Sequence, residues 1–417
     1  MKKSKIMLLA ILASNLIFAY SCVKCDLESD KFAEEIPNQV IIRFIDKADS
    51  ASIQNTIKKL REHSDTVYKC MCGDDLILVE YPKDPGITLN DRLASAQGDI
   101  AHNDNGEVVG NVFKNIRIIL DQSDSVVNDI DTVFDRRGPT NSIIVAVIDG
   151  GISKSTEDNL QGNIWANPDE VKDEMDSDNN CLEDDFNGYD FTRLTGDTEL
   201  NAHGTVVSKL MINSVPRASR VKFMDLRIFD LHGKSSLFYA LCATQYAIDK
   251  NADIINMSWG YYASEPLPLH LEYIRRTTKA RITVIASAGN DSVNTDICHH
   301  FPSGFNKGRY DTRNVIGVAA LDSTSTNSLA HYSNYGRSTI QLAAPGTHHF
   351  QGSLSVEGTS YSAPIVTAAA IRYMIDKNTR NSVDVVQCLK NSVVPTNPKL
   401  TVISGGKLDV NLINSCP

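Results

Sequence analysis

The sequence lacks an excess of basic residues and, after its first twenty residues, lacks any long apolar run. It has 41 lysine and arginine residues against 51 aspartate and glutamate residues, for a net charge of −10. Because phosphate binding needs a basic face, this balance argues against nucleic acid as a partner. No later segment approaches the roughly 20 apolar residues that a membrane-spanning helix requires, so we expect no membrane span. Internal repeats and low-complexity segments are also missing.

The overall composition is that of a globular protein rather than a disordered one. Hydrophobic residues make up 42% of the 417 residues and aromatic residues 7%. A chain of this length exceeds what one hydrophobic core usually holds, so we expect a main domain with appendages. We expect the protein to be a monomer.

The first 21 residues have the features of a secretory signal peptide. A basic leader, MKKSK, precedes the apolar run IMLLAILASNLIFA, and Ala19-Tyr20-Ser21 provides small residues at the cleavage site. The run is too short for a typical membrane span. We therefore expect a soluble protein that is secreted or held in a secretory-pathway organelle. The alternative, a bacterial lipoprotein acylated at Cys22, fits Ala-Tyr-Ser poorly.

Secretion decides how the nine cysteines are interpreted. Cys-x-x-Cys and Cys-x-Cys spacings are compatible with zinc, but disulfide bonds are expected in an oxidising compartment. Four cysteines lie in the first hundred residues and five in the remainder, so one later thiol is left over if the two groups do not cross-link. The connectivity stays open. The nine positions are Cys22, Cys25, Cys70, Cys72, Cys181, Cys242, Cys298, Cys388 and Cys416.

Residues 22–121 are predicted to form a small α+β unit. Apolar and β-branched runs predict strands, and Ile53, Ile57 and Leu60 share one helical face. In chain order we predict a strand at Gln39–Asp46, a helix at Ser50–His63, a strand at Asp75–Tyr81, a loop at Ser95–Glu107 and strand-like material at Val108–Leu120.

Residues 122–417 show a different pattern, in which buried strands alternate with helices. SIIVAVID, VKFMDLRIF, ADIINMS, RITVIASAG and NVIGVAA are near-continuous apolar runs, as expected of parallel strands covered on both faces. The pattern predicts an α/β fold, a three-layer sandwich with a mostly parallel sheet. Working groups in such folds lie at the carboxyl ends of the strands.

Several polar residues stand at those strand ends or at helix starts. Asp149 ends IIVAVID and suits a histidine-orienting acid, although Asp before two glycines also forms turns. His203 precedes an apolar helical run and suits a general base, although a lone histidine is more often structural. Asn290 closes VIASAGN as a turn residue or an oxyanion donor. Ser360 and Ser362 begin a helix, where serine is also an ordinary N-cap.

Five motifs in a fixed order resemble the subtilisin-like serine proteases. They are VAVIDGGI, HGTVVS, INMSWG, ASAGN and GTSYSAP, and they extend from near Ile143 to the C-terminus. Their acid, histidine and serine follow the chain order Asp, His, Ser of subtilisin. The acidic insertion before His203 and the divergent N-terminal unit most resemble the subtilisin-like proteases of apicomplexan parasites.

The resemblance implies a catalytic triad and a substrate-binding edge. Asp149 orients His203, which activates Ser360, and Asn290 binds the oxyanion. Two segments are expected to bind substrate peptide; they consist of Ser258, Trp259, Gly260, Ala288 and Gly289. The alternative for Trp259 is simple packing in the core or at the rim.

This chain departs from the family motifs at three places. Gly150 follows the acid where serine or threonine is usual, and Tyr361-Ser362 follow the serine where Met-Ala is usual. After the histidine, Val206, Ser208 and Lys209 replace small residues and a second histidine. None of these changes removes a reacting group. They do support one rival hypothesis, a secreted pseudoprotease that binds peptides without cutting them.

The insertion DEMDSDNNCLEDDF predicts a structural calcium site. Oxygen ligands at i, i+2 and i+4 are similar to the first half of an EF-hand loop, although the glycine and the final glutamate are missing. The alternatives are a solvated acidic loop and, more remotely, a calcium-dependent adhesive protein. The expected ligands are Asp176, Asp178, Asn180, Leu182 and Asp185.

The resemblance also assigns the α+β unit a role. It is similar to the family's propeptide, which assists folding and blocks the cleft until it is cleaved. The expected cleavage point lies between Ile118 and Asn128. The sequence therefore predicts a secreted zymogen with three parts, a signal peptide (1–21), a propeptide (22–121) and a catalytic domain (122–417), acting on proteins and peptides.

Overall fold

The computed structural model describes residues 25, 27, 32–45, 48–71, 75–102, 107–120, 142–155, 158–196, 202–306, 310, 312–350 and 355–417. The expected signal peptide and Cys22 lie outside these residues, as does most of the expected cleavage window. The described residues form two parts, which we call the N-terminal unit (described residues up to 120) and the C-terminal domain (142–417).

The N-terminal unit is an antiparallel sheet with two helices. The strands run in the spatial order β2-β3-β1-β4, and Ile41 pairs with Leu78 and with Phe113. The elements are β1 (Glu35–Phe44), α1 (Ser50–Leu60), β2 (Thr66–Lys69), β3 (Leu76–Glu80), α2 (Leu89–Asp99) and β4 (Gly110–Ile119).

The predicted loop at Ser95–Glu107 is wrong at its start, because α2 continues to Asp99. Thr88 caps this helix: its hydroxyl accepts from the Asp91 N–H, and the Asp91 carboxylate accepts from the Thr88 N–H. This reciprocal capping box is a helix start signal that the sequence contains. Ala96, fully buried, then packs the helix against the sheet.

The C-terminal domain is built on a nine-stranded sheet with the order β17-β18-β14-β13-β11-β9-β5-β7-β6. Its neighbouring strands are parallel except at β17 and β18. The strands of this sheet are β5 (Ile143–Asp149), β6 (Gly188–Asp190), β7 (Val221–Arg227), β9 (Ile254–Met257), β11 (Thr283–Ser287), β13 (Val315–Leu321), β14 (Leu342–Pro345), β17 (Val393–Pro395) and β18 (Gly406–Leu408).

Five helices and five short strands complete the described part of this domain. The helices are α3 (Ala202–Ser214), α4 (Leu237–Asp249), α5 (Pro268–Lys279), α6 (Thr359–Lys377) and α7 (Ser382–Asn391). The short strands are β8 (Lys234–Ser236), β10 (Tyr261–Tyr262), β12 (His300–Phe301), β15 (Thr347–His349) and β16 (Ser355–Glu357).

The large sheet is covered on both faces. On β5, Val145 and Val147 point into a core shared with α3, α6 and α7, whereas Ala146 and Ile148 point into a core shared with α4 and α5. Two helical layers therefore enclose one sheet, which confirms the predicted three-layer α/β fold. Among the described residues, no helix combines the length and the apolar character that crossing a bilayer needs.

The two parts of the molecule share a sheet edge and a set of polar contacts. Strand β8 extends the N-terminal sheet by pairing with β4, with Ile118 opposite Ser235. The Asn115 side chain accepts a hydrogen bond from the Phe238 N–H in the first turn of α4 (3.2 Å). Arg43 forms an ion pair with Glu272 of α5 (2.9 Å). The N-terminal unit thus sits on two helices of the C-terminal domain, α4 and α5.

Disulfide bonds connect the two groups of cysteines. The sequence alone could not decide this connectivity. Cys25 pairs with Cys298, and Cys70 pairs with Cys242, so both bonds join the N-terminal unit to the C-terminal domain. Cys388 and Cys416 pair within the C-terminal domain, and Cys181 is also disulfide-bonded.

Candidate active site

Asp149 and His203 form a buried hydrogen-bonded pair at the carboxyl edge of the sheet. Asp149 is the last residue of β5, and His203 is the second residue of α3. The distance from Asp149 Oδ1 to His203 Nδ1 is 2.8 Å, and both side chains are almost completely buried. The Gly150 N–H also donates to Asp149 Oδ1 (2.7 Å). A carboxylate placed in this way holds the imidazole in the tautomer with its proton on Nδ1.

Gly204 allows α3 to begin so close to β5. A Cβ atom added at this position would collide with the carbonyl oxygen of Gly151 and lie 3.3 Å from Asp149 Cβ. Only glycine fits such a close backbone approach. The Asp149–His203 pair therefore depends on the glycine that follows the histidine.

Ser360 is the second residue of α6, at the same edge of the sheet. Its carbonyl oxygen accepts from the Ser258 hydroxyl (2.8 Å), which ties the start of α6 to the end of β9. The next residue, Tyr361, is fully buried, and its ring centroid lies 5.3 Å from that of His203. The packing of α6 against α3 thus places the residue after the serine beside the imidazole.

Asn290 faces the start of α6 across the same edge. Its Oδ1 accepts two hydrogen bonds from Thr359, one from the backbone N–H and one from the hydroxyl, both 2.9 Å long. The Thr359 hydroxyl accepts in turn from the Gly289 N–H (3.0 Å). Because its carbonyl oxygen is engaged, Asn290 presents the amide Nδ2 as its donor group. Sequence reasoning missed Thr359, whose signal is its place directly before the serine.

The five expected substrate-binding residues divide into backbone edges and packed side chains. Trp259 is buried, and its indole N–H donates to the Ile148 carbonyl (2.9 Å), so its side chain stabilises the end of β5. Ser258 accepts from Asn256 and is likewise buried. Gly260 is partly exposed, whereas Ala288 and Gly289 are buried. The backbone N–H and carbonyl groups of Ala288 and Gly289 already bond to Val318, Asn334 and Thr359.

Comparison with known proteins decides the family. Residues 140–405, more than half of the chain, match the subtilase family (peptidase S8). The chain belongs to the subtilase family. This confirms the family that the five motifs predicted.

Relatives from parasites and bacteria support the assignment. Subtilisin-like protease 2 of Plasmodium falciparum is 28% identical over 252 residues, which cover 57% of this chain and 17% of the relative. Subtilisin-like protease 1 of Plasmodium berghei is 27% identical over 293 residues, 64% of this chain and 48% of the relative. The chain thus spans less than half the length of these two relatives.

Solved structures show the same fold. Fervidolysin from Fervidobacterium pennivorans matches with a TM-score of 0.63 at 17% identity, covering 95% of this chain and 64% of that chain. The epidermin leader peptide processing serine protease from Staphylococcus aureus matches with a TM-score of 0.63 at 16% identity, covering 91% and 98%. At these identities the similarity concerns the fold alone.

The departures from the subtilase motifs leave the candidate active site intact. The Lys209 side chain pairs with Asp158. The Ser208 hydroxyl is used within α3, where it donates to the Gly204 carbonyl (2.8 Å). Ser362 is fully buried, and its hydroxyl has no hydrogen-bond partner within the described part of the chain. None of these side chains interrupts the hydrogen bond between Asp149 and His203.

The acidic insertion groups a different set of side chains from the expected one. Carboxylate oxygens of Glu170, Asp178 and Asp185 lie within 4.8 Å of one another. Asp176 lies outside this cluster, because its carboxylate accepts from the Asn180 and Cys181 N–H groups. The expected ligands Asn180 and Leu182 bond to each other, through the Leu182 N–H and Asn180 Oδ1 (2.7 Å). Glu170 was missed because it precedes the insertion in sequence.

Lys250, from the end of α4, supplies positive charge to this acidic cluster. Its ammonium group pairs with Asp178 and lies 3.8 Å from Asp185. Burial raises the pKa of Asp185 to about 6, and Lys250 opposes that rise. Asp178 Oδ1 is buried and accepts no hydrogen bond from the described residues. The donor set is therefore one that a hard cation can use.

Proposed function

We propose that this chain is a serine endopeptidase that hydrolyses peptide bonds in proteins. The observation that carries the proposal is the buried 2.8 Å pair of Asp149 and His203. It lies at the sheet edge where Ser360 begins α6 and where Tyr361 packs against the imidazole. An acid, an imidazole and a hydroxyl in this order form the constellation that acyl transfer requires.

In this mechanism, Asp149 accepts a hydrogen bond from the Nδ1–H of His203, stays ionised and stabilises the imidazolium. His203 takes the proton of Ser360 as the hydroxyl attacks the scissile carbonyl, and it later protonates the leaving amine. Asn290 Nδ2 stabilises the tetrahedral oxyanion, held in place by the two bonds from Thr359 to its carbonyl oxygen. The backbone edge at Ser258–Gly260 binds the substrate as an extended strand, with Ala288 and Gly289 in the neighbouring segment.

We extend the proposal to biosynthesis. The signal peptide covers residues 1–21, the N-terminal unit is the inhibitory propeptide of residues 22–121, and residues 122–417 form the catalytic domain. The docking of the N-terminal unit on α4 and α5 supports this division. The protein is then a zymogen that is secreted or held in a secretory-pathway organelle.

We also propose a structural calcium ion in the acidic insertion. Glu170, Asp178 and Asp185 would hold it, since calcium prefers carboxylate oxygens. The ion would cross-link the insertion and neutralise charge that Lys250 only partly balances. It takes no part in the chemistry.

A fluorophosphonate probe tests the catalytic proposal. The probe should label the mature protein, and Ser360→Ala should abolish both labelling and peptidase activity, because the attacking hydroxyl is gone. Ser362→Ala is the matched control, two residues along the same helix, and should keep both. An unlabelled parent protein that still bound peptides would instead favour the pseudoprotease.

A further inference from the structure

His300 lies between the two substrate-binding segments. A Cβ atom built on Gly260 would collide with Cε1 and Nε2 of His300. A Cβ atom built on Gly289 would lie 3.0 Å from His300 Nε2 and 3.0 Å from the Tyr262 hydroxyl. The imidazole therefore lies against both segments, and beside Gly289 it shares the space with Asn334, whose Nδ2 would collide with the same Cβ atom.

The surroundings of His300 keep its ring in this place. β12 pairs with β10, which sets His300 opposite Tyr262, and the two ring centroids are 5.0 Å apart. Nδ1 bonds to the Ser303 hydroxyl (2.8 Å). The side chain is only 4% exposed, and burial lowers the pKa of His300 to about 4, so the ring is neutral at neutral pH.

We propose that His300 restricts the residue before the scissile bond to a small side chain. The inference rests on the proposed function, in which the scissile carbonyl is bound at Asn290. The substrate residue just before that bond then lies against Ala288 and Gly289, and its side chain points into the space between Gly289 and Gly260. A ring already occupies that space, so a large side chain has no room.

Matched peptides that differ only at this residue test the proposal. The parent enzyme should cleave after alanine with a kcat/KM at least about tenfold higher than after phenylalanine. His300→Gly should instead cleave after phenylalanine with a kcat/KM at least about tenfold higher than after alanine. His299→Gly is the matched control, because His299 bonds outward to the Ser264 carbonyl. Fluorophosphonate labelling shows that each variant is folded and active.

A labelled parent enzyme that prefers phenylalanine would overturn the role of His300 while leaving the protease proposal in place. An unchanged preference in labelled His300→Gly would do the same. Loss of labelling in the parent would instead contradict the proposed function itself.

A second observation concerns how the N-terminal unit is attached. Cys25–Cys298 and Cys70–Cys242 join it to the C-terminal domain at two separate places, beside β12 and in α4. Cys70, Cys242 and Cys298 are buried. Both bonds bridge from one side of the expected cleavage window to the other, so cutting the chain there breaks neither of them.

The first of these bonds anchors a segment close to the substrate-binding edge. The Ala33 N–H donates to the Tyr262 carbonyl (2.9 Å), two residues beyond Gly260. Phe32 and Tyr262 form a parallel bridge. The start of the N-terminal unit is thus held beside β10 by one disulfide bond, while its sheet is held on α4 by the other.

We infer that the N-terminal unit stays covalently attached after the chain between residues 121 and 141 is cut. Its release then requires reduction of every disulfide bond that crosses the cut, including Cys25–Cys298 and Cys70–Cys242. In each step a dithiol reductant supplies two electrons and two protons, so that the protein disulfide becomes two thiols and the reductant becomes a disulfide. If the unit is the inhibitory propeptide, cleavage alone leaves the inhibitor linked to its enzyme.

The full chain with Ser360→Ala and a site for an added protease between residues 121 and 141 tests this without any activity of its own. After cutting, denaturing electrophoresis should give one full-size band without reductant and two fragments with it. Two fragments without reductant would overturn the inference. Because this variant is inactive by design, the result does not depend on the proposed function.

Cysteine variants locate the attachment. Cys181→Ser, Cys242→Ser and Cys298→Ser together should give two fragments without reductant; Cys181 is included because it is also disulfide-bonded. Cys388→Ser with Cys416→Ser is the matched control, since that bond lies within one fragment, and it should still give one band. One band from the triple variant would contradict the assigned bonds.

Discussion

The sheet of the N-terminal unit and the nine-stranded sheet of the C-terminal domain have the same apolar sequence pattern. They differ in which part of the molecule covers their faces. In the C-terminal domain, alternate residues of β5 enter two cores, each built with helices of that domain. In the N-terminal unit, Val40, Ile42 and Phe44 of β1 pack against the unit's own helices. Ile41, between them, belongs to the core that contains α4 of the C-terminal domain.

This difference shows that the C-terminal domain buries one face of the N-terminal unit's sheet. One face of its sheet, including Leu78, Ile116 and Ile118, would be exposed if the unit left. Apolar surface of this kind marks an interaction site, and its burial stabilises association. The C-terminal domain, in contrast, covers both faces of its own sheet.

Substitutions at two adjacent residues of β3 should have the largest effect on the two faces of the N-terminal sheet. Ile77 belongs to the unit's own core and Leu78 to the shared core, and both are buried. Removing a buried leucine or isoleucine side chain costs about 2–5 kcal/mol of the free energy of unfolding, and a buried carboxylate adds to that cost. Leu78→Asp should loosen the unit from α4, whereas Ile77→Asp should unfold the unit itself.

Hydrogen exchange distinguishes the two outcomes. Leu78→Asp should speed exchange of the β8 amides and of Phe238 while the amides of α2 stay protected. Ile77→Asp should speed exchange in α2 as well. Identical patterns in the two variants would contradict the separate roles of the two faces.

Calcium should have a smaller effect and should stabilise only the C-terminal domain, because the acidic insertion lies in that domain. At calcium concentrations about a hundredfold above the dissociation constant, binding should stabilise that domain by about 3 kcal/mol. Thermal unfolding in calcium and in chelator measures the effect. Asp178→Asn should remove the response, and Asp176→Asn, whose carboxylate is used by backbone N–H groups, should keep it. Equal melting temperatures in calcium and chelator would refute the site.

The candidate active site illustrates how far sequence reasoning reaches. Asp149, His203, Asn290 and Ser360 stand in motifs whose residue types and order are visible in the chain, and the strands before them are marked by apolar runs. Thr359 also stands in the GTSYSAP motif, but its role in fixing the Asn290 carboxamide is not visible in the chain, because its partner lies 69 residues away. The effect of Lys209 was also undecided until its pairing with Asp158 was known.

Outside the site, too, some features were visible in the sequence and others depended on the tertiary structure. The Thr88–Asp91 capping box was present in the sequence, so the missed start of α2 was an error of interpretation rather than a lack of information. The position of His300 between Gly260 and Gly289 and the partners of the cysteines were not accessible in this way. They depend on which distant segments meet.

By itself, the sequence determined the family, the alternation of strands and helices, and the residue types available for chemistry, because these follow from local periodicity and from motif order. Only the tertiary structure decided which face of the N-terminal sheet meets the C-terminal domain, which cysteines pair and what fills the space between the substrate-binding segments. The physical reason is that burial and close contact are properties of pairs of segments, and one pattern of apolar residues is compatible with many partners.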